Sequence, residues 1–338
     1  MLFTVFLITL TPLTFPVLSF LSDGKFHSGE IMAKNFNVSR VAIWHAIAGA
    51  EKLGIEVFSV RGKGYRLTQS LDLLEEKRVK LAIGEMANLF NITVLDVVDS
   101  TNNYLKKVAT NGHPHASCVA ANIQTHGKGR RGRQWQSALG ENLTFSFLWR
   151  FTKGAAALSG LSLVVGVALI RSLKKLNVHQ ALLKWPNDIL IQDDGVYKKL
   201  AGILIELQGD MDGQSAAIIG VGINLNLSKK QAEKIDQPAI SINECIDESI
   251  NPNIFLAIII KDLAEVLATF EDSGFTSLKD EWLSYDAFQD KAINITTGDG
   301  NIIQGRSQGV NDSGSLEVIT DNGVKVYASG EISIRSAV

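Results

Sequence analysis

Apolar positions recur at helical spacing in the first part of the chain. Ile43, Ile47 and Ala50 fall at i, i+4 and i+7, which places them on one inward face. Ser39 stands where an N-cap belongs and Gly54 where a helix stops, so a helix is predicted from about residue 40 to Leu53. His27-Ser28-Gly29-Glu30 opens a shorter helix through Lys34, and Asn35 to Asn37 make the turn between the two. Val57-Phe58-Ser59-Val60 and Tyr65-Arg66-Leu67 read as strands around the turn Arg61-Gly62-Lys63-Gly64. Helix, short turn, helix and basic hairpin form a winged helix-turn-helix pattern, assigned here to residues 13–68.

Residues 69–86 read as a polar connecting helix carrying Glu75, Glu76, Lys77, Arg78 and Lys80. Beyond it strands and helices mix. Strands are expected at 93–98, 117–122, 143–151, 181–185, 188–191, 200–207 and 215–224, with helices at 101–109, 155–176 and 254–270. Hairpin turns such as Asp193-Asp194-Gly195 join neighbouring strands, so residues 87–287 should be an α+β domain on a mixed, mostly antiparallel sheet. The texture changes again over 288–338. Five short alternating runs are separated by Gly298-Asp299-Gly300, Asn311-Asp312-Ser313-Gly314 and Asp321-Asn322-Gly323, the spacing of a small SH3-like β-barrel.

Two apolar stretches could be mistaken for membrane spans. Met1 to Leu21 has no charged side chain, and thirteen of its twenty-one residues are Leu, Ile, Val or Phe. It lacks the basic start and small-residue cleavage site of a signal peptide, and Pro12 and Pro16 interrupt it. A buried first helix ending at Leu21 is expected instead. Gly154 to Ile170 is too short to span a bilayer, and Arg171, Lys174 and Lys175 end it as they would a core helix.

Charge adds detail that the total conceals. The 338 residues carry 33 Lys+Arg and 35 Asp+Glu, a formal net charge of −2. That total gives no whole-chain sign of nucleic-acid binding, but residues 25–68 carry seven Lys/Arg against three acids. A basic wing suits phosphate contact, so Ser39, Arg40, Trp44 and His45 of the second helix and Arg61 and Lys63 of the wing are the DNA-facing candidates. The two cysteines, Cys118 and Cys245, cannot form a disulfide framework or a Cys-rich zinc site, and a reducing cytoplasm is the natural compartment.

Four constellations carry candidate chemistry. Gln124-Thr125-His126-Gly127-Lys128-Gly129-Arg130-Arg131-Gly132-Arg133-Gln134-Trp135 holds four basic residues and three glycines, with no acid from Ala120 to Gly140. Glycines turn backbone N–H groups toward an anion and the cations neutralise phosphate, yet the spacing is neither a Walker A loop nor a dinucleotide fingerprint. Lys184-Trp185-Pro186-Asn187-Asp188 sits at a strand junction. Lys198-Lys199-Leu200-Ala201-Gly202 leads into a buried strand, where a Lys can act as a point charge. In Gly220-Val221-Gly222-Ile223-Asn224 small residues allow close approach of a ligand. Any one of these alone reads equally as turn chemistry, a bulge or a solvated basic loop.

In order, with Asp99-Ser100-Thr101-Asn102 before them and Gly330-Glu331-Ile332-Ser333-Ile334-Arg335 after, these motifs closely resemble the bifunctional biotin–protein ligase and biotin operon repressor family of bacteria. The resemblance runs from about residue 13 to the end. It implies a class II synthetase-like catalytic domain that uses ATP and Mg2+ to form biotinyl-5′-AMP. Biotin would then pass to a lysine of the biotin carboxyl carrier protein of acetyl-CoA carboxylase. Biotinyl-5′-AMP would also serve as corepressor of a homodimer on operator DNA. By the same resemblance Ser100, Thr101, Asn102, Gln124, Lys128, Gly129, Arg130, Trp135, Lys199 and Gly202 would bind biotin. Arg130, Arg131, Arg133, Lys184, Asn187, Asn224 and Arg335 would bind ATP or the adenylate. Lys199, Arg130 and Asp188 would carry catalysis, with Asp188 assisting the metal or orienting the acceptor lysine.

Three departures from the family pattern stand out. Lys128 replaces an arginine, keeping the charge and losing a bidentate fork. Gln136 replaces an apolar residue, and no aromatic lies near Pro238-Ala239. Two rival readings share the pattern: a biotin-sensing DNA regulator without transfer, and a lipoate-type acyl ligase.

Overall fold

The computed structural model describes residues 10–209, 213–298, 300–329 and 332–337. Asp299 of the first tail turn and Gly330-Glu331 of the last motif lie outside the described residues, as does the apolar start up to residue 9. The chain forms two compact units. One comprises residues up to Leu74 with Ala138–Gly140, and the other the remainder.

The first unit holds α1 (Thr14–Leu21), α2 (Gly29–Asn35), α3 (Arg40–Lys52) and the hairpin β1 (Val57–Val60) and β2 (Gly64–Leu67). Ser28 Oγ accepts from the Ile31 amide and Ser39 Oγ from the Ala42 amide, which satisfies a free donor at the start of each helix. Asn37 takes a left-handed conformation (φ 53°) that closes the turn between α2 and α3. Leu18, Leu21, Met32, Ile43, Ala46, Ile47 and Ala50 form the core, so the predicted inward face is the observed one. Leu21 ends α1 fully buried, as expected from the proline-interrupted start.

The second unit begins with α4 (Glu76–Ile83). The connecting helix expected over 69–86 is therefore shorter than predicted. Leu71, Leu73 and Leu74 are buried, an apolar run that a polar spacer helix could not accommodate. There follow β3 (Asn91–Val98), α5 (Thr101–Ala109), β4 (Ser117–Gln124), β5 (Asn142–Phe151), α6 (Leu161–Lys174), β6 (Ala181–Lys184), β7 (Asp188–Asp193), β8 (Val196–Gly209), β9 (Ser215–Asn224), the short α7 (Lys229–Ala232), α8 (Pro252–Ser273) and α9 (Lys279–Ser284). The helix predicted over 155–176 is interrupted because Gly160 sits at φ 83°, and α6 starts only after it.

The seven strands make one sheet in the order β3-β4-β5-β9-β8-β7-β6. Only β3–β4 is parallel, the pair joined through α5, so the expected mixed, mostly antiparallel sheet is the one found. Asp194 and Gly195 both have positive φ, the requirement of the tight β7–β8 hairpin. Strands β5 and β9 are buried along almost their whole length, which is why they read as continuous apolar runs. Alternation along β5 turns Phe151 toward Phe270 of α8 and Leu148 toward Leu105 and Ala109 of α5. The α5 face of the sheet carries the site.

The unit ends in β10 (Ala292–Thr297), β11 (Ile302–Val310), β12 (Leu316–Thr320), β13 (Gly323–Tyr327) and β14 (Ile332–Ser336), an antiparallel five-stranded sheet in the order β13-β12-β11-β10-β14. Last strand pairs with first, and Ile293, Ile295, Val310, Leu316, Val318, Ile332 and Ile334 fill its interior. This sheet belongs to the same compact unit as the seven-stranded one. The Trp185 indole N–H donates to Gly314 O at 3.0 Å and helps fasten the two.

Candidate active site

A cavity of about 500 Å³ opens above β8 and β9. All seventeen residues that the sequence assigned to biotin, nucleotide or catalysis line it, from Ser100 to Arg335. They arrive from α5, β4, the glycine-rich loop, the β6–β7 turn, β8, β9 and β14. Sequence reading missed Phe145, Leu204 and the wall from Lys234 to Gln237. Phe145 and Leu204 lie in ordinary strand patterns without polar signal. The 234–237 segment looks like a plain surface loop until Lys199 pairs with Ala239, its amide donating to Pro238 O at 2.8 Å.

Three glycines make the floor. Gly202 and Gly222 are register partners on β8 and β9, and Gly220 is two residues away on the same face. A Cβ on Gly222 would lie 2.4 Å from the Trp135 ring, and one on Gly220 would lie 2.3 Å from Asn102 Oδ1. Side chains lie directly on bare backbone here, which is what these glycines are for. The Trp135 indole N–H is buried and has no acceptor among the described residues, so it is a donor left for something in the cavity.

Charge is concentrated at the opposite end. Lys199 Nζ lies 2.7 Å from Asp188 Oδ1, off the hydrogen-bonding direction, and Lys184 Nζ lies 3.8 Å from Asp188 Oδ2. Burial pushes the Lys184 ammonium below its usual range. Asp188 counteracts this, while Lys199, Arg335 and Arg133 add to it. Desolvation likewise lowers Arg130, offset by Asp188. One carboxylate thus serves two ammonium groups in a site crowded with cations.

The basic loop is folded over the cavity. Lys128 pairs with Gln134, Gly129 N–H donates to Arg133 O, and Trp135 N–H donates to Gly127 O at 2.9 Å. Arg131 and Gly132 take positive φ at the tip. Arg130 donates to Asn187 Oδ1 at 2.9 Å and to the carbonyl of Ser329. Lys128, the replacement for the family arginine, donates to Asn103 Oδ1, and Asn103 in turn donates to Asp99.

The third region is neutral. Thr101 directs its amide (2.7 Å) and its hydroxyl (3.1 Å) at Gln124 Oε1. Ser146 Oγ reaches Thr101 Oγ1 at 2.7 Å and Asn102 Oδ1 at 2.5 Å. Asn102 is fully committed to protein partners, since its Nδ2 donates to Glu206 Oε2 at 2.9 Å. Asn224 is committed as well, donating to Lys199 O and Ile240 O and accepting from Asn142. Both support the wall rather than presenting free amides.

In the first unit Arg40, Trp44 and His45 are exposed along α3, and Arg61 and Lys63 on the wing. Ser39 is exposed too, but its hydroxyl is engaged as the α3 cap. Arg66 stacks on Phe26 and Phe58 at 4.8 and 5.4 Å, which braces the hairpin from behind.

Three family models match the chain in the order of its modules. A helix-turn-helix domain covers residues 15–66, the biotin/lipoate A/B protein ligase family 94–224, and the biotin protein ligase C-terminal domain 290–335. The fold is that of this ligase class. The bifunctional ligase/repressor BirA of Salmonella typhimurium is 37% identical over 329 residues, covering 97% of this chain and 99% of that protein. Its Escherichia coli counterpart is 36% identical, covering 95% and 97%. Among solved structures, the biotin protein ligase of Aquifex aeolicus in complex with biotin and ATP superposes with a TM-score of 0.63 at 29% identity, over 73% of this chain and 99% of that one. This chain belongs to the bifunctional biotin–protein ligase/repressor family.

Proposed function

We propose that the protein activates biotin with ATP, transfers it to a lysine of a biotin carboxyl carrier protein, and represses biotin genes through its helix-turn-helix. One observation carries the catalytic reading. Every residue assigned to the reaction by ordered motifs meets at a single cavity with a neutral polar end and a cationic end.

In the first step a biotin carboxylate oxygen attacks the α-phosphorus of ATP, and the bond to pyrophosphate breaks. In the second the acceptor lysine amine attacks the acyl carbon, an amide forms and AMP leaves. Thr101 and Gln124 suit a cyclic urea. Gln124 Oε1 is occupied by Thr101, so its Nε2 faces a ligand as donor while Thr101 Oγ1 offers lone pairs to a ligand N–H. Trp135 covers the apolar ring and chain. Lys199 stabilises charge on the reacting oxygens, and Lys128, Arg130, Arg131, Arg133, Lys184 and Arg335 take the phosphates with Asn187.

The residues fit magnesium only as a partner of the nucleotide. No cluster of three or more His, Cys, Asp or Glu able to hold a metal occurs among the described residues. Asp188 would supply one oxygen, phosphates and water the rest. The ion would neutralise phosphate charge.

Among the described residues no helix is long and apolar enough to cross a membrane. With two free cysteines, a cytoplasmic location is the reading we adopt. We infer homodimerisation through a sheet edge, because operator binding by a winged helix uses two half-sites, one for each copy.

The deciding experiment is biotin-dependent exchange of pyrophosphate into ATP by purified protein, followed by transfer to carrier protein and a gel shift with the biotin-gene promoter. Folded protein without exchange sinks the enzyme reading. Preference for lipoate in competition moves it to the lipoate ligases. A missing shift at low salt with biotin and ATP present removes the repressor arm.

A further inference from the structure

We propose that Glu206, which lies outside the cavity lining, is a positioning residue that sets the donor and acceptor polarity of the biotin ring pocket through Asn102 and Ser146. The inference rests on the functional reading above.

Glu206 lies on β8 on the face shared with Gly202 and Leu204. Its two carboxylate oxygens are divided between two donors. Oε2 accepts from Asn102 Nδ2 at 2.9 Å, and Oε1 from Lys106 Nζ at 3.1 Å. Burial raises the proton affinity of Glu206, but these hydrogen bonds outweigh it and hold the carboxyl below its usual range. An ionised carboxylate only accepts, so the Asn102 amide has one allowed orientation: NH2 toward Glu206, oxygen away. That oxygen meets Ser146 Oγ at 2.5 Å, in a place where Asn102 is 3% exposed and Ser146 is fully buried.

Ser146 has a single hydroxyl proton and two acceptors within reach, Asn102 Oδ1 and Thr101 Oγ1. With Asn102 held oxygen-first, that proton is shared between the amide oxygen and Thr101 Oγ1, whose own proton goes to Gln124 Oε1. Thr101 Oγ1 keeps a lone pair for a ureido N–H. If Asn102 turned around, its NH2 would face Ser146, and the Ser146 proton would pass wholly to Thr101 Oγ1, filling one of its two lone pairs and narrowing the directions left for a ureido N–H. Gly220 lets this happen at close range, because any Cβ there would displace Asn102 Oδ1. The chain from Glu206 to Thr101 is thus a fixed sequence of donors and acceptors in a low-dielectric place, where a mispaired group is costly.

The test is a polarity swap read by pyrophosphate exchange. Glu206→Gln should raise KM for biotin about tenfold while KM for ATP and kcat stay near wild type. Asn102→Asp alone should be at least as damaging, because two carboxylates then face each other. The double variant Asn102→Asp/Glu206→Gln restores an acceptor toward Ser146 and a donor toward residue 102, and should recover most of the biotin KM. Lys106→Met, which leaves the Glu206 acceptor in place, should stay within about twofold. A biotin KM unchanged in Glu206→Gln overturns the inference, as does a parallel loss in biotin KM, ATP KM and kcat. So does a double variant no better than its worse parent. Wild-type protein lacking biotin-dependent exchange would overturn the functional reading itself, and this inference with it.

Discussion

Gly222→Ala tests the glycine floor with one methyl group. Gly222 sits in β9 without a positive φ, so alanine brings no backbone strain. Its Cβ would lie 2.4, 2.7 and 2.8 Å from three atoms of the Trp135 indole. Carbon atoms in contact sit about 3.5–4 Å apart, so the ring must retreat by roughly 1 Å or more. The Trp135 backbone cannot follow freely, because its amide is bound to Gly127 O at 2.9 Å. The displacement therefore falls on the side chain, which lies over the floor with Lys199 Nζ 5.9 Å from its ring centre. Overpacking of this kind costs about 1–3 kcal/mol, equivalent to roughly 5- to 150-fold in affinity. Because the loop is partly exposed, the unliganded protein can relax, and its stability should change by less than about 0.5 kcal/mol. Melting with and without biotin separates the two states. At 100 times Kd the wild type gains about 2.7 kcal/mol from ligand, whereas a fifty-fold weaker variant gains about 0.6. A variant that keeps the full biotin-induced shift, or that loses stability equally with and without biotin, would refute the role of the indole as a cover.

Lys199→Ala should slow biotin adenylation by about 100-fold or more, measured by pyrophosphate exchange, with Lys184 left to balance Asp188; an unchanged rate removes Lys199 from the mechanism. Arg61→Ala and Lys63→Ala should each weaken operator binding and reduce its salt slope by about one in gel shifts, with exchange activity intact. Burial pushes the Asp286 carboxyl up to about 6. A raised carboxyl binds its proton more tightly in the folded state, so its ionisation opposes folding, fully above pH 6 and not at all well below 4. Asp286→Asn should therefore raise Tm relative to wild type at pH 7.5 by up to about 3 kcal/mol equivalent, and by little at pH 4.5; a constant difference across that range would contradict it.

The modules were legible because each announces itself locally. The cap at Ser39, the Asp-Gly hairpin at 194–195 and the tail turns at 311–314 and 321–323 depend on near neighbours, and the structure places them as expected. The site residues were legible through motif resemblance, and it took the fold to show what several of them do. Asn102 and Asn224 look like ligand-binding amides in sequence, yet both are used up on protein partners far along the chain. Glu206 closes the run Lys199-Leu200-Ala201-Gly202-Ile203-Leu204-Ile205-Glu206 that resembles the family, but its role was not legible there, since its partners Asn102 and Lys106 lie about a hundred residues earlier. The shortened connecting helix failed for the opposite reason: charged residues dominated the reading, and the burial of Leu71, Leu73 and Leu74 is a tertiary fact.

Among the described residues, eight basic side chains and two acidic ones line the cavity of a chain whose net charge is −2. Asp188 stands between Lys184 and Lys199, and Asp236 belongs to the loop wall. The cations repel one another, and desolvation adds to the strain on Lys184 and Arg130. Such a site is incomplete without an anion of several charges, which a triphosphate supplies and a single carboxylate does not. The ring pocket is built differently, from Thr101, Gln124, Ser146 and Asn102, all neutral. Salt screens the first kind of recognition and hardly touches the second. Raising ionic strength should therefore increase KM for ATP steeply and KM for biotin little. Parallel slopes in exchange assays would mean that the cations act on biotin and nucleotide alike, and that the division into a charged end and a neutral end is wrong.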